Sequence, residues 1–196
     1  MLPEDNHRQK LLRGQDNYER YQLAVDSGFH HQYLRNMLQL NRGLGSDSLP
    51  RYSEIGQFAG ISNTDWSWSV LLVDLDNDGL RDVFISNGYL RDITNMDHMT
   101  HTADVYKKAA NSGENVDYLK LIKELSTSGV KNYIYRNYIG IKCINKTEEW
   151  GLDQETVSNG AAYADFENDG DLDLITNNLN QPVTVLRNNE SEKLKN

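Results

Sequence analysis

The chain has 196 residues, enough for one domain of ordinary size. Its 20 basic and 29 acidic side chains leave a formal charge of −9, which disfavours a nucleic-acid partner, whose phosphates require a basic face. No run approaches the roughly 18 apolar residues of a membrane-spanning helix, so membrane insertion is not expected.

Residues 1–31 read as a helical lead-in. Asp16 can cap a helix carrying Tyr18, Tyr21 and Val25, stopped near Gly28. The opening Met1-Leu2-Pro3-Glu4-Asp5 lacks the basic start and apolar run of a signal peptide. Residues 32–88 then read as a first unit of short strands. Asn36 to Asn41 and Tyr52 to Ile55 are two of them, separated by a polar loop from Gly43 to Pro50. Trp66 and Trp68 precede an apolar run, Val70 to Val73, and are read as aromatic packing between units rather than a sugar platform.

The next segment, Asp74-Leu75-Asp76-Asn77-Asp78-Gly79-Leu80-Arg81-Asp82, carries the strongest chemistry. Acids stand at positions 1, 3, 5 and 9, with Asn at 4 and Gly at 6. Exposed carboxylates ~5 Å apart repel by a little under ~1 kcal/mol per pair in water, and by more as the site dries. A hard cation inside the loop removes that penalty. Calcium takes six to eight oxygens and tolerates irregular geometry. The expected ligands are Asp74, Asp76, Asp78, the Leu80 carbonyl and Asp82. Gly79 allows the positive φ of the sharp turn. Position 12 is Ile85, not the bidentate Glu of an EF-hand, and the flanks Val70–Val73 and Val83–Ser86 are β-prone. The loop therefore joins two strands.

Residues 89–130 read as a helical insertion. Ala103 to Ala110 forms a short helix stopped by Ser112-Gly113. A second carries Tyr118, Leu121, Ile122 and Leu125 on one face, capped by Asn115 and ended by Gly129. His98 and His101, beside Asp97, are read as surface histidines. Asp65, Asp92 and Asp97 are extra carboxylates, but no nucleophile, phosphate loop or triad accompanies them, and no catalytic residue is assigned. Cys143 stands alone, which excludes an internal disulfide and a thiolate zinc cluster.

Residues 131–178 repeat the first unit. Asn132 to Asn137 matches Asn36 to Asn41, Gly151-Leu152 matches Gly60-Ile61, and Ser158 matches Ser67. Ile141 to Ile144 supplies the second strand. From Ile61 to Asp74 and from Leu152 to Asp165 the spacing is 13 residues in both cases. The second acidic loop is Asp165-Phe166-Glu167-Asn168-Asp169-Gly170-Asp171-Leu172-Asp173, between β-prone flanks Ala161–Ala164 and Leu174–Thr176. Its expected ligands are Asp165, Glu167, Asp169, the Asp171 carbonyl and Asp173. Residues 179–196 open a third unit at Val183 to Asn188. Each unit reads as two strands followed by an acidic hairpin, four short strands in all, which is the content of a β-propeller blade. The expected fold is all-β with helical insertions: a partial β-propeller of two units plus the start of a third.

The two acidic segments resemble FG-GAP/VCBS repeats, which build the propellers of integrin α-subunit heads and many bacterial surface proteins. Thr64-Asp65-Trp66-Ser67-Trp68, Ser86-Asn87-Gly88-Tyr89-Leu90-Arg91-Asp92 and Ser158-Asn159-Gly160-Ala161-Ala162-Tyr163 are similar to the cartilage-acidic-protein-like bacterial branch, associated with ASPIC/UnbV domains. The resemblance covers most of residues 32–188. It implies calcium at both loops and an extracellular, periplasmic or cell-surface location. It also implies a non-catalytic recognition role, adhesion or glycan binding. A calcium-dependent polysaccharide-degrading enzyme and a purely structural spacer are the alternatives. Propellers have four to eight blades, so the chain reads as a fragment, or as a partial propeller completed by further blades of the same or another chain.

Overall fold

A computed structural model describes residues 2–11, 18–31, 33–113, 115–125 and 129–193. They are mostly β-sheet with a few helices, arranged as four small antiparallel sheets. Among the described residues no sheet closes into a barrel. The chain divides into two compact units, Met1–Leu2 with Arg35–Tyr89 and Gly129–Asn196, and Pro3–Leu34 with Leu90–Ser128.

The second of these units is helical and unites the expected lead-in with the expected insertion. It holds α1 (Asn6–Leu11) and α2 (Tyr18–Asp26), and the later α4 (Met96–Ser112) and α5 (Tyr118–Glu124). Arg8 Nη1 lies 3.3 Å from Asp92 Oδ2, joining the two chain segments through a buried carboxylate. The expected cap Asp16 lies outside the described residues. Helix α4 is longer than the expected Ala103–Ala110. It starts where the Asn95 side chain accepts the Asp97 and His98 N–H groups, and it ends at Gly113 with φ +72°. Asp117, rather than Asn115, caps α5 by accepting the Lys120 N–H at 3.0 Å. Leu121 and Leu125 are buried, but Tyr118 and Ile122 of the expected apolar face are exposed.

The β unit begins with β1 (Gln39–Leu44) and β2 (Pro50–Glu54), followed by the single turn α3 (Gly56–Ala59). Next come β3 (Ser67–Val73) and β4 (Asp82–Asn87), then β5 (Val130–Lys131), β6 (Tyr133–Asn137) and β7 (Cys143–Asn145). It closes with β8 (Glu155–Thr156), β9 (Ser158–Ala164), β10 (Asp173–Asn178), β11 (Thr184–Leu186) and α6 (Glu190–Lys193).

Both acidic loops join antiparallel strands into hairpins, β3 with β4 and β9 with β10. The grouping of strands differs in phase from the expected one. Strands β1 and β2 pair with each other, and the first hairpin recruits the strands that follow it, in the order β3-β4-β6-β7. The physical reason lies in β4. All six of its positions are buried, so the backbone N–H and C=O groups on both of its edges have no water to bond and need a strand partner. Strand β6 supplies the second neighbour through Val83↔Tyr135, Phe84↔Ile134 and Ile85↔Tyr133. Likewise β11 pairs with β10 in the order β11-β10-β9. Residues 184–186 thus complete the second hairpin's sheet rather than opening a third.

The alternation along β4 feeds two cores. Phe84 points to a cluster with Val73, Leu75, Ile134, Leu152 and Leu174, where the two hairpin sheets meet. Val83 and Ile85 point the other way, to Ala59, Ile61 and Tyr135. Leu152 and Ile61, matched in the sequence repeat, thus occupy corresponding places in the two cores. Trp66 packs on Tyr89 with ring centroids 4.7 Å apart, and the half-exposed Trp68 donates its Nε1–H to the Gly88 carbonyl at 2.6 Å.

Candidate metal centre

The two acidic loops take the same local path. Position 4 is left-handed in both, Asn77 at φ +56° and Asn168 at +58°. Position 6 is Gly79 at +85° and Gly170 at +95°, which glycine adopts without steric cost. The position-1 carboxylate reaches across the turn in each, accepting Gly79 N–H on Asp74 Oδ2 at 2.9 Å and Gly170 N–H on Asp165 Oδ2 at 3.0 Å. The position-5 carboxylate accepts the position-7 N–H, Leu80 on Asp78 at 2.8 Å and Asp171 on Asp169 at 3.0 Å.

Position 9 is buried and hydrogen-bonded to backbone in both loops. Asp82 is fully buried, and its two oxygens accept the Leu75 N–H at 3.0 Å and the Asn137 N–H at 2.8 Å. Asp173 repeats this with the Phe166 and Asn188 N–H groups at 3.0 and 2.8 Å. Each position-9 carboxylate thus ties its loop to the strand that joins the sheet next. Burial pushes the Asp82 carboxyl above the usual range, although the two N–H bonds oppose this.

The carboxylates of Asp74, Asp76 and Asp78 converge, each offering an oxygen within 4.8 Å of the others. Asp82 stands outside this group, and no corresponding group forms in the second loop among the described residues. Asp74 Oδ1 is buried without a hydrogen-bond donor. An orphaned buried carboxylate oxygen beside two more carboxylates fits a hard cation: the donors are all oxygen, and a cation would satisfy the unpaired atom. In the second loop Asp165 spends both oxygens on backbone donors, Asp169 and Gly170. Asp169 Oδ2 there is buried without a hydrogen-bond donor and lies 3.8 Å from Arg187 Nη2. His98 shares a 3.2 Å hydrogen bond with Thr102 and His101 lies 3.6 Å from Glu124; with Asp97 they form no metal-ligand group among the described residues.

Three features of the site are not visible as motifs. Arg136, on β6, places Nε 2.5 Å from Asp76 and Nη2 3.1 Å from Asp78. Arg187, just after β11, contacts Glu167 through Nε and reaches Asp169 at 3.8 Å and Glu192 at 2.8 Å. Desolvation raises the Asp76 carboxyl pKa, and Arg136 works against that rise. The third feature links the loops: Asn77 of the first donates to the fully buried Asp171 of the second at 2.8 Å, and Asn188 Nδ2 donates to the Leu75 carbonyl at 2.7 Å. Beside them lies a cleft of about 320 Å³, whose lining includes Leu75, Ile134, Leu152 and Leu174 with the charged Asp76, Glu149 and Arg187.

No protein-family model matches the chain, and no curated protein matches it.

Proposed function

We propose that this chain is a calcium-stabilised β-propeller repeat module of the FG-GAP/VCBS kind, serving extracellular or cell-surface recognition without catalysis. The observation that carries the reading is the first loop. Three carboxylates converge there around a buried oxygen that lacks a donor, at a hairpin between sheet strands. Calcium would be held by Asp74, Asp76 and Asp78 with the Leu80 carbonyl, while Asp82 fixes the loop to the sheet. The second loop, with Asp165, Glu167, Asp169, Asp171 and Asp173, repeats the backbone path and is the weaker site. The order of strands, hairpin first and two strands after, supports blades stacked face to face through the Phe84 core. The ion cancels the carboxylate repulsion and fixes the loop that links neighbouring sheets.

Extracellular calcium modules bind at ~0.1–1 mM. At ten times Kd, one site adds about 1.4 kcal/mol to folding, which is roughly 3–5 °C in Tm for a chain of this size. Calcium titration of thermal stability is expected to show that rise. The double variant Asp76→Ala, Asp78→Ala is expected to lose most of it. An unchanged Tm in the unaltered protein up to 10 mM calcium would overturn the reading.

A further inference from the structure

The two arginines at the loops are related by the repeat. Arg136 and Arg187 each stand one residue before an asparagine, Asn137 or Asn188, whose backbone N–H is held by the position-9 aspartate at 2.8 Å. That clamp brings the guanidinium to the same two loop positions each time. Nε pairs with position 3, Asp76 or Glu167, and Nη2 faces position 5, Asp78 at 3.1 Å or Asp169 at 3.8 Å. The first copy of the strand pattern is a control within the chain. Leu40 stands at the arginine position there, and among the described residues β1 pairs with β2 and with no acidic hairpin.

We propose that Arg136 and Arg187 are internal counter-cations of the acidic loops, positioning residues that set the affinity and charge selectivity of the proposed cation sites. The inference rests on the calcium reading above. Each guanidinium neutralises one loop charge and occupies carboxylate oxygens that a metal would use. A monovalent ion brings no more charge than the arginine already supplies, so it does not compete. A divalent ion brings twice as much and draws the carboxylates away. Arg187 has a further acceptor in Glu192 at 2.8 Å, which retains the guanidinium when the loop turns to a cation. The consequence runs against intuition: removing a residue that touches the site tightens metal binding.

The test is calorimetric titration with calcium chloride, and thermal unfolding in chelator, of the full chain and its Arg136→Gln, Arg136→Lys and Arg187→Gln variants. Arg136→Gln is expected to bind calcium about fivefold more tightly, the scale of losing one or two partly exposed ion pairs. It is also expected to melt lower in chelator. Arg136→Lys, which keeps the charge, stays near the unaltered protein in both, and Arg187→Gln repeats the tightening if Arg136→Gln does not fold. Unchanged or weakened binding by a folded glutamine variant overturns the role given to the arginines and leaves the calcium reading standing. Indifference of all four proteins to calcium overturns both. Tightening toward sodium as large as toward calcium overturns the charge selectivity.

Discussion

Asp82 shows how one carboxylate expected among the ligands of a loop also ties that loop to the sheet. Its spacing places it among the expected ligands, and its burial and two backbone donors also bolt the loop to the sheet. The folded state must keep that charge dry, so its pKa is raised. A raised carboxylate means the folded form binds more protons than the unfolded chain. Stability from this group therefore falls as pH rises from the ordinary aspartate value, near ~3.9, through the raised one. In chelator, the unaltered protein is expected to gain stability relative to Asp82→Asn as pH is lowered across that window, measured by urea unfolding. A difference independent of pH would show that burial does not perturb Asp82. Gly88 is a second residue fixed by its surroundings. Its φ is +115°, and an added Cβ would meet the Thr156 carbonyl at 2.7 Å and Val157 Cα at 2.8 Å. Gly88→Ala is expected to cost roughly 1–3 kcal/mol, readable as a lowered urea midpoint.

At the scale of elements, the hairpins were legible because everything they need is local. Short β-prone flanks, Asn at position 4 and Gly at position 6 set each turn from within or beside its nine-residue loop. Helix α4 was only half legible. The Gly113 stop was visible, but the start depends on Asn95 turning its side chain back to two N–H groups. The partners of the hairpins were not legible. A repeat gives the period of a pattern and leaves open where one sheet ends and the next begins. The burial of β4, whose backbone then needs a strand on each edge, decides that, and Phe84, fully buried between two sheets, is its centre. Phe84→Ala is expected to cost about 3–5 kcal/mol. A cost below about 1 kcal/mol would mean that the two hairpin sheets do not share this core.

At the scale of the molecule, chain segments far apart in sequence share a unit. The stretches 3–34 and 90–128 form the helical one, and the acidic loops lie together in the other. Calcium is therefore expected to slow amide exchange at 74–82, 165–173 and in β6 and β11, which anchor to those loops. Helix α4 contains no loop residue and serves as the internal reference. Equal slowing in α4 and the loops would argue against a local site.

The sequence by itself determined the two acidic turns, their strand flanks, their equal spacing from Ile61 and Leu152, and the crowding of carboxylates within each turn. These follow from backbone sterics and charge repulsion among near neighbours. Only the tertiary structure decided which strands share a sheet, that Asp82 and Asp173 act as bolts, and that Arg136, Arg187 and Asn77 reach the loops. Those outcomes depend on pairing across tens of residues. There the chain settles on the arrangement that buries β4 twice over and leaves the position-9 carboxylates hydrogen-bonded.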